Sequence, residues 1–159
     1  MKKIIIMATA IVTSVLAEAA SPIDLACNIL RKHEGFSDKV YTLNGIKHIG
    51  YGFTSAALVK RQRMTRNEAE RELRKILTKD LEYLRTKVRG LTANQEAACL
   101  SFIYNVGRAN FAKSTFLKNL QQRKVVEASN ELDRWIYASG KVCRGLVNRR
   151  KAEKALFTA

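Results

Sequence analysis

Proline occurs once in this sequence, at Pro22, and glycine only eight times in 159 residues. That scarcity excludes long linkers, proline-rich stalks and low-complexity tracts, and no internal repeat is present. Cysteine occurs three times, as Cys27, Cys99 and Cys143, and none is spaced like a metal site. In an oxidising compartment two of them can pair and leave one free, with all three pairings open. Acidic residues are the scarce side of the charge balance: 14 Asp and Glu stand against 29 Lys and Arg, for a net charge of +15. So basic a chain invites a nucleic-acid reading. Zinc-module spacing and an aromatic ribonucleoprotein motif are both missing, however, which argues against one. The basic residues are spread along helical segments, where a solvated face is their plain reading.

What is present fits one soluble domain with a real core: 47% hydrophobic and 27% charged residues over this length. The N-terminus is a separate object. Met1-Lys2-Lys3 is a basic start, Ile4 to Ala17 is uncharged and mostly apolar, and Ala17-Glu18-Ala19 has the small-x-small form of a cleavage site. Residues 1–19 therefore read as an export signal, cut near Ala19, with residues 20–159 as the folded domain. The apolar run is shorter than the roughly 20 residues of a spanning helix. Two alternatives stay open: a buried first helix, or a weak membrane anchor that remains uncut, touches the membrane transiently and later slips out. Export redirects the meaning of the charge. Without residues 1–19 the chain loses Lys2, Lys3 and Glu18 and carries +14. A basic protein in the periplasm or outside the cell is drawn to the polyanions of the envelope.

Along the remaining chain, Ser21-Pro22 opens a helix as N-cap and first residue, with Ile23, Cys27 and Leu30 on its apolar face and Gly35 as its stop. Glu34 ends that helix, where the dipole disfavours a charged carboxylate and so favours the protonated form a general acid needs. Residues 38–54 alternate like short strands around Asn44-Gly45, a strong hairpin signal. Thr65-Arg66-Asn67-Glu68 is a capping box that starts a helix running to about Val88, over 30 Å long at about 1.5 Å per residue. Such a helix suits a strut between two lobes. A second capping box at Thr92–Gln95 precedes a helix over Ala97–Val106, which Gly107 ends. Further helices are expected over 115–122 with Ser114 as cap, over Val125–Ala138 carrying a core Trp135, and over Leu146–Phe157. The fold class is α+β: mostly helical and two-lobed, with a small β-hairpin lobe and a long connecting helix.

Four stretches, in this order, resemble the bacteriophage lysozyme family, the endolysins that cleave peptidoglycan. They are Glu34-Gly35 followed by Tyr41; Gly45 with Ile49-Gly50-Tyr51-Gly52; Ser101-Phe102-Ile103-Tyr104-Asn105-Val106-Gly107 with Asn110-Phe111 and Ser114-Thr115; and Trp135–Gly140 followed by Gly145-Leu146-Val147-Asn148-Arg149-Arg150. In look the chain is most similar to secreted or signal-anchor-release endolysins. The resemblance implies a lysozyme-like domain acting as a monomer on peptidoglycan glycan strands. It would hydrolyse the β-1,4 bond between N-acetylmuramic acid and N-acetylglucosamine without metal or cofactor. Glu34 becomes the expected general acid and Arg149 its expected basic partner, although Arg150 and Lys151 adjoin it and helix facing alone does not choose. Tyr41 and Asn105 are expected to meet substrate. The family's packing of the first helix on the C-terminal lobe also implies a Cys27–Cys99 bridge.

One part of the pattern is missing. The family places an Asp nine residues after its acid and a Thr six further on. Counting forward from Glu34 reaches Leu43; counting back from Ile49-Gly50-Tyr51-Gly52 puts His48 at the Thr position and Thr42 at the Asp position. Neither count finds an acid. Three readings follow: His48 replaces the base, since imidazole accepts a proton near neutral pH; Asp38 or another acid reaches the site; or the protein binds peptidoglycan and cleaves it poorly or not at all. A cationic protein that permeabilises membranes without catalysis is a further class.

Overall fold

The computed structural model describes residues 20–159, so the export signal expected over residues 1–19 lies outside the described residues. The chain runs α1 (Pro22–Glu34), β1 (Ser37–Leu43), β2 (Ile46–Gly50), α2 (Ala56–Val59), α3 (Arg66–Lys87), α4 (Ala93–Val106), α5 (Arg108–Lys113), α6 (Thr115–Gln121), α7 (Val125–Leu132), β3 (Tyr137–Ala138), β4 (Lys141–Val142) and α8 (Arg144–Phe157). No helix among the described residues is long and apolar enough to cross a membrane. The architecture is the expected α+β one, with two short antiparallel hairpins and helices elsewhere.

The local signals act where the sequence places them. Ser21 Oγ accepts the Asp24 amide at 3.2 Å, with Pro22 at the first position. Both capping boxes form: Thr65 with Glu68, and Thr92 with Gln95. Asn44 and Gly45 take φ of 50° and 77°, the two-residue turn that matches strand twist. The β1–β2 register pairs Tyr41 with His48 and Leu43 with Ile46, and it slips between Ser37 and Tyr41. The slipped segment pairs instead with residues 62–64: Met64 N donates to Asp38 O and Val40 N to Gln62 O.

The core has two parts. One, under the β lobe, holds Leu30, Ile49, Tyr51, Met64, Leu73 and Leu77. The other fills the helical lobe with Phe102, Phe111, Phe116, Leu132 and Phe157. Helix α3 spans roughly 33 Å for its 22 residues and feeds both, with Leu73 and Leu77 in the first and Leu84 in the second. Helix α4 does the same through Leu100 and Phe102.

Two expectations are corrected, and one helix was not expected. The helix expected over Val125–Ala138 stops at Leu132. Ser139 and Gly140 take φ of 50° and 74°, which a helix cannot contain, so residues 137–142 form the β3–β4 hairpin. Trp135 still packs, edge-on against Phe102 at 5.2 Å, but from the turn after the helix. Gly107 ends α4, yet α5 begins at the next residue. Finally, the Cys27–Cys99 bridge is not formed: all three cysteines are free. Cys27 faces the β-lobe cluster and Cys99 the helical-lobe cluster, so two buried thiols on packed helices point into different cores.

Candidate active site

Glu34 is the last residue of α1, and Gly35, with φ of 68°, turns the chain away into β1. Its side chain is 21% exposed and its Oε1 accepts a charge-assisted hydrogen bond from Nη1 of Arg149, itself only 4% exposed. Of the adjacent cations on α8, Arg149 is thus the one that reaches the acid. It is held from behind. Its Nη2 donates to the Ser101 carbonyl at 2.8 Å and its Nε to Glu153 Oε1 at 3.1 Å. Arg150 turns inward as well. Its Nη2 donates to Asn105 Oδ1 at 2.8 Å and to Glu153 Oε1 at 3.1 Å, and its guanidinium lies over the Phe102 ring at 4.8 Å. Burial pushes Arg150 down to about 10, against the pull of Glu153, which leaves it charged at neutral pH. Because Arg150 occupies the Asn105 oxygen, the Asn105 amide nitrogen is the free donor.

Gly52 is where the two lobes meet at the acid. A Cβ added there would lie 3.5 Å from Glu34 Oε2, and its φ is 82°. On β2, His48 Nδ1 lies 3.3 Å from the Gly52 carbonyl. A ring nitrogen facing a carbonyl carries the proton, so Nε2 is the free acceptor. Tyr41, the cross-strand partner, stacks on His48 with ring centroids 5.3 Å apart and planes at 18°. The segment after β2 is tied down at Tyr51. Its carbonyl accepts from the Tyr104 hydroxyl on α4 at 2.7 Å, and its own hydroxyl donates to Glu70 on α3 at 2.6 Å. Burial, helped by the Glu34 charge, pushes the Tyr104 phenol up, so it remains a neutral donor. Arg31 grips Glu70 through two bonds, 2.9 and 2.7 Å, and holds that carboxyl below its ordinary value. Gly50 is a steric requirement: a Cβ there would come within 2.7 Å of the Phe53 ring.

Two cavities border this meeting point. One, about 810 Å³, is lined by Glu34, Asn105, Asn148 and Arg149, with Lys32 and Lys151 at its wall. The other, about 440 Å³, is lined by Gly52, Phe53, Tyr104, Asp80 and Arg108. Glu34 and Gly52, one from each lining, face each other, so an elongated ligand can run past the acid from one cavity to the other. The lining of the first is cationic, with Glu34 its one acid.

The structure brings Glu34, Asn105 and Arg149 to one cavity, while His48, at the Gly52 carbonyl, and Tyr41, stacked on it, line neither cavity. It does not bring Asp38 there. The strand slip carries Asp38 to the outer side, where it is exposed, 3.8 Å from Arg63. The acids that sequence reasoning missed are Asp80 and Glu153. Asp80 lines the smaller cavity and binds Arg108 Nε at 2.7 Å, and burial pushes it up. Glu153 lies fully buried behind Arg149. Its only sequence signal is the spacing from Arg149 and Arg150, four and three residues, which on a charged helix reads equally as a surface pair. Among the described residues no group of three or more His, Cys, Asp or Glu converges as a metal site.

Comparisons with known proteins bear on the family and the fold. The family model described as phage lysozyme matches residues 31–153. An endolysin of Bacillus phage PZA is 36% identical over 136 residues, covering 83% of this chain and 53% of its own, so the chain spans about half the length of that relative. A SAR-endolysin of Bacteriophage PS119 is 32% identical and is covered over 74% of its length, against 76% of this chain. Among solved structures, the muramidase domain of SpmX from Asticaccaulis excentricus superposes with a TM-score of 0.76 at 32% identity, over 84% of this chain and 95% of that one. The endolysin from Escherichia coli O157:H7 phage FAHEc1 gives 0.74 at 26% identity, over 84% and 90%. With the model covering most of the chain, and relatives and structures agreeing on one fold, this protein belongs to the phage lysozyme family.

Proposed function

We propose that the protein is a muramidase that hydrolyses the β-1,4 bond between N-acetylmuramic acid and N-acetylglucosamine in peptidoglycan, with Glu34 as general acid and His48 as base. The observation that carries this reading is the approach of both groups to Gly52, Glu34 from the helical side and His48 from the sheet. Protonated Glu34 gives its proton to the glycosidic oxygen as the bond to the anomeric carbon breaks. His48 Nε2 takes a proton from the water that attacks that carbon. An imidazole in this place can instead attack the carbon itself, and water then releases the glycosyl group. Arg149 fixes the Glu34 carboxyl. Asn105 offers its amide N–H to the glycan, and Tyr41 both steadies the His48 ring and presents a face to the sugar. The cationic wall of Lys32 and Lys151 suits the lactyl and stem-peptide carboxylates of the polymer. Residues 1–19 act as the export signal, cleaved or as an anchor that slips out after transient membrane contact, and residues 20–159 work as a monomeric lysozyme-like domain in the periplasm or outside the cell.

A second reading has its own observation: among the described residues, no second carboxylate shares the Glu34 cavity. In that reading the protein binds peptidoglycan and turns it over weakly or not at all. Release of soluble fragments from purified peptidoglycan, by the full-length chain beside Glu34→Gln and His48→Ala, separates the readings. Cleavage by wild type and failure of both variants supports the acid and base roles. Cleavage by His48→Ala removes His48 from the mechanism. Binding without release by wild type leaves a peptidoglycan-binding homologue, and lysis retained by Glu34→Gln means that charge, not catalysis, does the damage.

A further inference from the structure

The helical side of the site contains a group with no role in that scheme. Glu153 is fully buried, on the far side of Arg149 from Glu34. Its Oε1 accepts from Ser101 Oγ at 2.7 Å, Arg149 Nε at 3.1 Å and Arg150 Nη2 at 3.1 Å. Arg150 Nε lies 2.9 Å from Oε2, though its N–H is poorly aligned and the contact is ionic. The Ser101 hydroxyl and two guanidiniums converge on this carboxyl, and the guanidiniums favour its ionised form. Burial pushes its carboxyl above the ordinary value, with Arg150, Arg149 and Ser101 pulling the other way.

A lone guanidinium against a carboxylate favours the ionised carboxylate, the form a general acid cannot use. Here the guanidinium that binds Glu34 is shared with a second carboxylate behind it. We propose that Glu153 is a positioning residue that aligns Arg149 on Glu34 and offsets the Arg149 charge beside the acid. The inference rests on Glu34 being the acid.

The other groups around the pair do not supply this effect. On α1, His33 is held below the usual histidine range by burial and then by Arg149, so it is neutral at working pH. Lys32, on the same helix, lines the open cavity and is screened by solvent. On α4, Tyr104 is a neutral phenol, and burial pushes the Cys99 thiol, near Glu153, well up. Glu96, also near Cys99, is neutralised by Arg85 at 2.7 Å. From the sheet, His48 at the Gly52 carbonyl and Tyr41 stacked on it are not acids. On α8 itself, Arg150 adds to the positive field, Lys151 lines the open cavity, and Lys154 pairs with Asp133 at 2.6 Å. Among the described residues, Glu153 is thus the one carboxyl opposing two buried cations beside the acid.

The experiment is the pH–activity profile of fragment release from purified peptidoglycan, at fixed ionic strength, for full-length wild type, Glu153→Gln and Glu34→Gln. Glu153→Gln keeps the shape and removes the charge. Its alkaline limb is expected to move to lower pH by roughly one unit, the effect of one charge several ångströms away at an effective dielectric near 20, while binding to the polymer persists. A uniform loss at all pH values with the limb in place means a structural role and overturns the inference. If Glu153→Gln does not fold, Arg150→Met and Arg150→Met/Glu153→Gln replace the comparison: they differ only in the Glu153 charge, and the double variant keeps Arg149 paired with Glu34. The double variant's limb is expected to lie at lower pH than that of Arg150→Met, and coincident limbs overturn the inference. Cleavage by Glu34→Gln removes the acid reading and this inference together; an inactive Glu34→Gln with an unmoved limb removes this inference alone.

Discussion

The two sides of the cleft are built differently. On the helical side, Glu34 belongs to a chain of buried contacts through Arg149, Ser101, Glu153 and Arg150 to Asn105. On the sheet side, His48 has one polar contact of 3.3 Å and one stacked ring, on a hairpin whose tip exposes Leu43 and Ile46. In the roles proposed above, the contrast puts precision at the acid and leaves the group that would meet water with more freedom. A base that acts through a water tolerates looser placement than an acid that must touch the leaving oxygen.

That contrast can be broken from the helical side with the largest effects. Glu34→Gln should reduce fragment release by about 10³-fold with an unchanged melting temperature, measured by a turnover assay beside circular dichroism. Arg149→Met leaves two carboxylates without their shared cation; it should cost about 3–5 kcal/mol of stability, read by denaturant unfolding, and a loss under 1 kcal/mol would mean that the buried network is not the strong side. On the sheet side, His48→Ala should lower release by about 10²-fold while shifting stability by less than about 1 kcal/mol. Acid titration sharpens the comparison at Tyr51. Arg31 holds Glu70 below its ordinary 4.5, so the stabilisation is present above that value and is lost as pH falls through the lower folded value. The melting temperature should drop below about pH 4.5, and less steeply in Glu70→Gln. The smallest effect belongs to the hairpin tip: Leu43→Ser with Ile46→Ser should stay within about 0.5 kcal/mol of wild type.

Much of this was legible in the residues. The caps at Ser21, Thr65 and Thr92, the Asn44-Gly45 turn and the length of α3 are local signals, and local physics decides them. The grouping of Glu34 with Arg149 and Asn105 came from the family resemblance, and the helix that ends at Glu34 came from periodicity. The misses share a cause. Ser139-Gly140 reads as helix tail unless both residues are allowed positive φ. Glu153 and Asp80 look like ordinary charges on amphipathic helices, because burial of an ion depends on what another part of the chain brings to it. The cysteine pairing failed for the same reason: packing of two helices does not say which core each thiol faces.

The strut α3 has a consequence for how the molecule comes apart. Its side chains complete the floor of one lobe and the wall of the other, so neither lobe owns a finished interior. A protease nick within α3 leaves two fragments that each lack a face. The site at Gly52, spanning both, is therefore insured against half-folded forms: a molecule that has lost one lobe has no cleft.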